Sequence, residues 1–131
     1  MTTPTELLDA LRWEADRSVT RAKAILMRFK ADLNENQDDP LWAFSTKVIE
    51  AGAQLKVWGY VLRAVDEKRS SNTPDEEILA EIEKKALDES IRGVRVTSQG
   101  GSDMGRIVEK HYAGAWGDVA NSSCLPKAWK K

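Results

Sequence analysis

The stretch Asn34-Glu35-Asn36-Gln37-Asp38-Asp39-Pro40 decides the fold, because it is the polar break between two long segments of helical periodicity. Its side chains favour turns. Asp39 before Pro40 then sets a capping carboxylate ahead of a proline suited to the first helical position. Upstream, Leu8, Leu11, Ala15, Ser18, Ala22, Ile25 and Phe29 recur at steps of three and four, with Leu7, Val19, Leu26 and Leu33 widening the stripe. Thr3-Pro4-Thr5-Glu6 has the form of a capping box and starts this first helix, which ends near Leu33.

Downstream, Leu41, Phe44, Val48, Gly52, Leu55, Trp58, Leu62 and Val65 keep the same spacing to about Arg69. Ala51-Gly52-Ala53 supplies small residues at the middle, which permit close backbone approach. Each segment holds about 30 residues, or roughly 45 Å of helix, and the short link makes the two antiparallel neighbours. Such a hairpin leaves Val57, Tyr60 and Val61 uncovered, so further elements must close the core.

Arg69-Ser70-Ser71-Asn72 reads as a loop, and Thr73-Pro74-Asp75-Glu76 repeats the capping-box form. A third helix follows with Ile78, Leu79, Ile82, Ala86, Leu87 and Ile91 on its apolar stripe and Gly93 as its stop. Its other side carries Glu76, Glu77, Glu81, Glu83, Asp88 and Glu89, which reads as a solvated acidic face. Val94 to Gly101 reads as a loop. Ser102-Asp103 opens a fourth helix with Met104, Ile107, Val108, Tyr112, Trp116 and Val119, weakened by Gly105, Gly114 and Gly117 at up to about 1 kcal/mol each relative to alanine.

The expectation is therefore an all-α helical bundle built on a long antiparallel αα-hairpin plus two shorter helices. Residues 1–120 form its single α-helical domain and residues 121–131 a C-terminal tail, docked or flexible. The segments after the two Thr-Pro-x-Glu sites differ in length and pattern, so they are not an internal repeat.

Composition limits the partners and the setting. A formal net charge of -1 gives the whole molecule no pull toward nucleic acid or anionic membrane. The single cysteine, Cys124, has no partner for an internal disulfide, and no apolar run has the length of a membrane span. The first ten residues, MTTPTELLDA, lack the basic patch and apolar stretch of a signal peptide. A cytoplasmic protein is expected.

Chemistry is sparse. His111 is the only histidine, and with Cys124 it falls short of a zinc ligand set. Paired Glu-x-x-His motifs, which di-iron bundles use, are absent from the sequence. A Cys124 and His111 dyad has no visible orienting or oxyanion group. Gly100-Gly101-Ser102-Asp103-Met104-Gly105-Arg106 resembles a phosphate loop only in its glycines, because Ile107 follows Arg106 where such a loop needs lysine and then Ser/Thr. The acidic helix lacks the oxygen-rich loop of a calcium site. No catalytic residue, metal or cofactor is expected.

What remains is surface. Arg17, Arg21 and Arg28 project from similar angles on the first helix, with Lys23 and Lys30 beside them; Glu14 and Asp16 interrupt the patch, and Arg12 with Asp16 and Arg28 with Asp32 are spaced for intrahelical pairs. Of five tryptophans, Trp58 belongs to the core seam, whereas Trp13, Trp42 and Trp129 stand off it. Tryptophan and arginine are enriched among binding hot spots. The expected function is a non-catalytic helical protein–protein interaction protein (an adaptor, a structural subunit or a small inhibitor), with Trp13, Trp42, Trp129, Arg17, Arg21 and Arg28 as the binding candidates. Its partner would be another protein or a second copy in a homodimer. The alternative is nucleic-acid binding through the helix-one arginines and the basic tail at Lys127, Lys130 and Lys131.

Overall fold

The computed structural model describes residues 3–35, 41–98, 103–122 and 124–125, with side chains described for residues 3–29, 47–92, 108–122 and 124–125. Four helices follow one another: α1 (Pro4–Glu35), α2 (Leu41–Ser70), α3 (Asp75–Ser98) and α4 (Asp103–Ala120), and no strand occurs among the described residues. This is the all-α bundle on a long hairpin. The helix start assigned to Pro40 lies outside the described residues. None of the described helices is long and apolar enough to cross a membrane.

α1 and α2 run antiparallel: Asp9 meets Arg69, and Arg12, one turn further along α1, meets Asp66, one turn back along α2. Arg12 holds Asp66 with two parallel bonds, Nε to Oδ1 at 2.7 Å and Nη2 to Oδ2 at 3.3 Å. The intrahelical Arg12–Asp16 pair expected from spacing is thus replaced by a pair between helices, whose planar fork geometry suits a guanidinium and a carboxylate. The Asp32 side chain, expected to pair with Arg28, lies outside the described side chains.

The core draws on all four helices. Leu8, Leu11, Val57, Val61, Val65, Ile78, Leu79 and Val119 are its largest fully buried side chains. Each such aliphatic group contributes about 1.5–3 kcal/mol of transfer free energy. α2 is the central element, touching α1, α4 and α3. Its buried residues are Ala51, Ala53, Val57, Trp58, Val61, Ala64 and Val65, while Leu55 and Leu62 are only half-buried. The seam drawn through Gly52 and Leu55 is therefore turned on the helix, because neighbours on more than one side demand a wider apolar face than a hairpin does. A Cβ at Gly52 would meet nothing within 4 Å, so close approach is the work of Ala51 and Ala53. Val57 and Val61 are covered, as the hairpin required, whereas Tyr60 stays 41% exposed. On α1 Leu8, Leu11, Ala15 and Ala22 of the stripe are buried and Ser18 is half-buried, but Ile25 is 41% exposed where the stripe predicted core.

Gly93 does not end α3, which continues to Ser98 through residues expected to be loop. α3 packs along α4, and this support outweighs the helix propensity of about 1 kcal/mol that glycine gives up. Nor is α3's acidic side wholly solvated: Glu83 is 5% exposed.

The two capping sequences fold differently. At α1, Glu6 N donates to Thr3 Oγ1 at 3.1 Å, and Leu7 N donates to Thr3 O at 3.0 Å, so Thr3 is the cap. At α3 the first helical bond runs from Ile78 N to Pro74 O, one position later in the motif, and no bond joins Thr73 Oγ1 to Glu76 among the described residues. Thr73 is already used. Its N–H donates to Lys68 O and that of Asn72 to Arg69 O, a Schellman closure of α2 with Asn72 at φ 61°.

Beyond α4, Ser122, Cys124 and Leu125 are buried, and Cys124 and Leu125 join the core cluster. Ser122 Oγ donates to Glu14 Oε2 at 2.8 Å and accepts from Cys124 N at 3.2 Å. The Cys124 thiol lies 3.7 Å from the same Glu14 oxygen.

Candidate functional site

The outward face of α1 is where the sequence-derived candidates meet. Trp13, Arg17, Thr20, Ala24 and Met27 follow one another at three-four spacing on the side opposite Leu8, Leu11, Ala15 and Ala22. Trp13 is 62% exposed and Met27 73%. The Arg17 guanidinium lies 5.2 Å from the Trp13 ring centroid, a cation–π contact that holds two flexible groups in one plate.

The same face is positively charged. From Arg17 to Lys30 the sequence has five cations and no carboxylate. Arg17, Arg21, Lys23 and Arg28 form no ion pair among the described residues, and Glu14, one of the two carboxylates expected to interrupt the patch, is directed to Ser122 and Cys124. This contrasts with the other end of the bundle. There Arg12 is raised above its ordinary value by its hydrogen bond to Asp66, and for Arg69 the hydrogen bonds to Asp9 and Asp75 outweigh the lowering by burial.

Arg21 and Arg28 also line a groove of about 690 Å³ between α1 and α2, together with Ile25, Phe29 and, from α2, Lys47. Gln54 and Asp118 form its far wall, tied by a 3.0 Å bond from Gln54 Nε2 to Asp118 Oδ2. The groove therefore sets Arg21, Arg28 and Lys47 among apolar side chains, with the carboxylates of Glu50 and Asp118 also in its lining.

The structure brings Trp13, Arg17, Arg21 and Arg28 together on α1. Trp42 stands in the first turn of α2, with its side chain outside the described ones, and Trp129 and the tail lysines Lys127, Lys130 and Lys131 lie outside the described residues. Two residues of this surface escaped the sequence reading. Met27 lies off the apolar stripe, and Ile25 was assigned to the core; the absence of any acid between Arg17 and Lys30 was the available signal.

Groups with chemical potential are held apart from this face. Cys124 is buried and bonds to Ser122 and Glu14, while His111, half-buried on α4, takes no part in those bonds. No group of three or more His, Cys, Asp or Glu side chains suited to a metal ion occurs among the described residues. None of the protein families, curated proteins or solved structures compared with this chain matches it.

Proposed function

We propose that this chain is a non-catalytic interaction protein that binds an acidic surface of another protein through the outward face of α1. The observation that carries the reading is the joint exposure of Trp13 and Met27 beside arginines that form no ion pair among the described residues. An exposed tryptophan covered by a partner would gain about 3 kcal/mol in gross transfer free energy, a hundredfold or more in affinity before ordering costs. Arg17, Arg21 and Arg28 would add orientation and partner choice, because a carboxylate-bearing surface complements their positive charge.

Adaptor, structural subunit and small inhibitor all use such a face. Phosphate binding would use the same arginines but has no need of Met27 or Ile25, which is why a protein partner is favoured over nucleic acid. The free thiol of Cys124 fits a reducing, cytoplasmic setting.

The test is recovery of the tagged protein from its native cells at moderate salt, with and without nuclease, beside a Trp13→Ala/Met27→Ser variant. A protein that resists nuclease and is lost with the variant supports the reading. Recovery of nuclease-sensitive material alone transfers the face to nucleic acid, and recovery unaffected by the variant removes α1 as the binding surface.

A further inference from the structure

A second cleft lies away from α1, where α2, α3 and α4 meet. Each helix contributes a stripe at helical spacing: Lys56, Tyr60 and Arg63 from α2; Lys85, Glu89 and Arg92 from α3; Val108, Glu109, Tyr112 and Trp116 from α4. Its volume of about 620 Å³ falls in the range of small-molecule sites.

Two features of the lining select a ligand class. The first is aromatic surface. Tyr60 and Trp116 meet edge to face, with centroids 5.5 Å apart and planes at 70°. Lys85 Nζ lies 5.5 Å from the Tyr60 ring centroid and 5.9 Å from that of Trp116, and Lys56 Nζ lies 5.2 Å from that of Tyr112. Trp116 is also the buried side chain whose polar atom, Nε1, lacks a hydrogen-bond partner among the described residues.

The second is an excess of positive charge. Four cations line the cleft against two carboxylates. Glu89 is engaged by both Lys85 and Arg92, each at 3.2 Å, so the α3 charges are mutually satisfied. Lys56 and Arg63 form no ion pair among the described residues. They stand on the same side of α2, four residues before Tyr60 and three after it, so an anionic group at either end of a ring held at Tyr60 meets a cation.

We infer that this cleft is a binding site for a small aromatic organic anion, with its ring against Tyr60 and Tyr112 and its carboxylate or phosphate on Lys56 or Arg63. Ring contact supplies affinity and the charge supplies selection, since a neutral ring of the same shape offers no counter-charge to Lys56 or Arg63. The site shares no residue with the α1 face and stands or falls independently of it.

Calorimetric titration of the full chain with 2-naphthoate and with neutral 2-naphthol tests the assignment. The expected result is binding of 2-naphthoate about tenfold or more tighter than 2-naphthol, with that preference abolished in Lys56→Gln/Arg63→Gln. Both positions are exposed, and an unchanged far-ultraviolet circular dichroism spectrum and melting temperature establish that the variant is folded. Amide and indole resonances of the intact protein locate the ligand, with shifts expected at Tyr60, Tyr112 and the Trp116 indole. Equal affinity for the two probes, no binding of 2-naphthoate at about 1 mM, an unaltered preference in the variant, or shifts confined to α1 each overturn the inference.

Discussion

Ser122 Oγ donates to Glu14 Oε2 at 2.8 Å, which fastens the segment after α4 to the middle of α1. Because Ser122 is buried and Cys124 bonds to both ends of this pair, one hydroxyl organises the whole return of the chain.

Ser122→Ala removes that donor and leaves the Glu14 oxygen and Cys124 N short of a partner. A loss of about 1.5 kcal/mol in stability is expected. The more specific consequence concerns the buried thiol: its reaction with a disulfide reagent under native conditions quickens by about tenfold, since local opening of this segment becomes that much easier. Unchanged thiol kinetics would show that the bond does not govern the segment.

Trp58 and Trp116 are both almost fully buried, but among the described residues only Trp58 has a hydrogen-bond acceptor, Gln54 Oε1 at 2.8 Å. Replacement by phenylalanine costs ring volume in each case. In Trp58→Phe it also breaks a bridge that continues through Gln54 to Asp118, whereas in Trp116→Phe it relieves an unmet donor. Urea denaturation should therefore find Trp58→Phe less stable than Trp116→Phe by about 1–2 kcal/mol. Equal losses would show that the indole donors have no net effect.

Gly52 and Gly114 are helical and have open space where a Cβ would stand. Alanine at either position should stabilise the fold by about 0.5–1 kcal/mol, through reduced freedom of the unfolded chain. A decrease in the denaturation midpoint for Gly52→Ala would mean that α1 and α2 approach more closely there than the open space allows.

Lys68 is raised above its ordinary value of 10.5, chiefly by its hydrogen bond to Glu81, against a smaller lowering by burial. A cation whose folded value is raised gives stability that is complete below its unfolded value and disappears as pH climbs through the folded one. Stability should therefore fall more steeply above pH 10.5 in the native chain than in Lys68→Arg, where the charge persists. Parallel profiles from alkaline denaturation would refute a role for this pair.

How far the sequence discloses this molecule depends on what each signal measures. Periodicity reports which residues share a face, and it located four helices and the need to cover Val57 and Val61. It does not report how many neighbours a helix has, so the face of α2 was set too narrow at Gly52 and Leu55. Two nearly identical capping motifs at Thr3 and Thr73 adopt different registers, the second following directly on the turn that ends α2, in which Thr73 N donates to Lys68 O. Such competition between adjacent elements is invisible in a motif read alone. Gly93 shows the same limit: it permits a stop without imposing one.

The candidate surfaces divide similarly. Trp13 and the α1 arginines were legible because a large ring and repeated cations off the apolar stripe are local facts. The cleft at Tyr60 was not. Each of its helices contributes an ordinary mixture of lysine, arginine and aromatic residues, and only their packing sets three rings and an excess of cations around one space.

Arg69, bonded to Asp9 and Asp75, also gives the bundle a mechanical direction. Together with Arg12–Asp66 and Lys68–Glu81 it places every described ion pair between helices near the last turns of α2. At the Arg28 and Lys47 end the chain itself joins α1 to α2, so the hairpin is held at both ends by different means: by covalent continuity where the groove lies, and by an ionic buckle at the end that the chain leaves open.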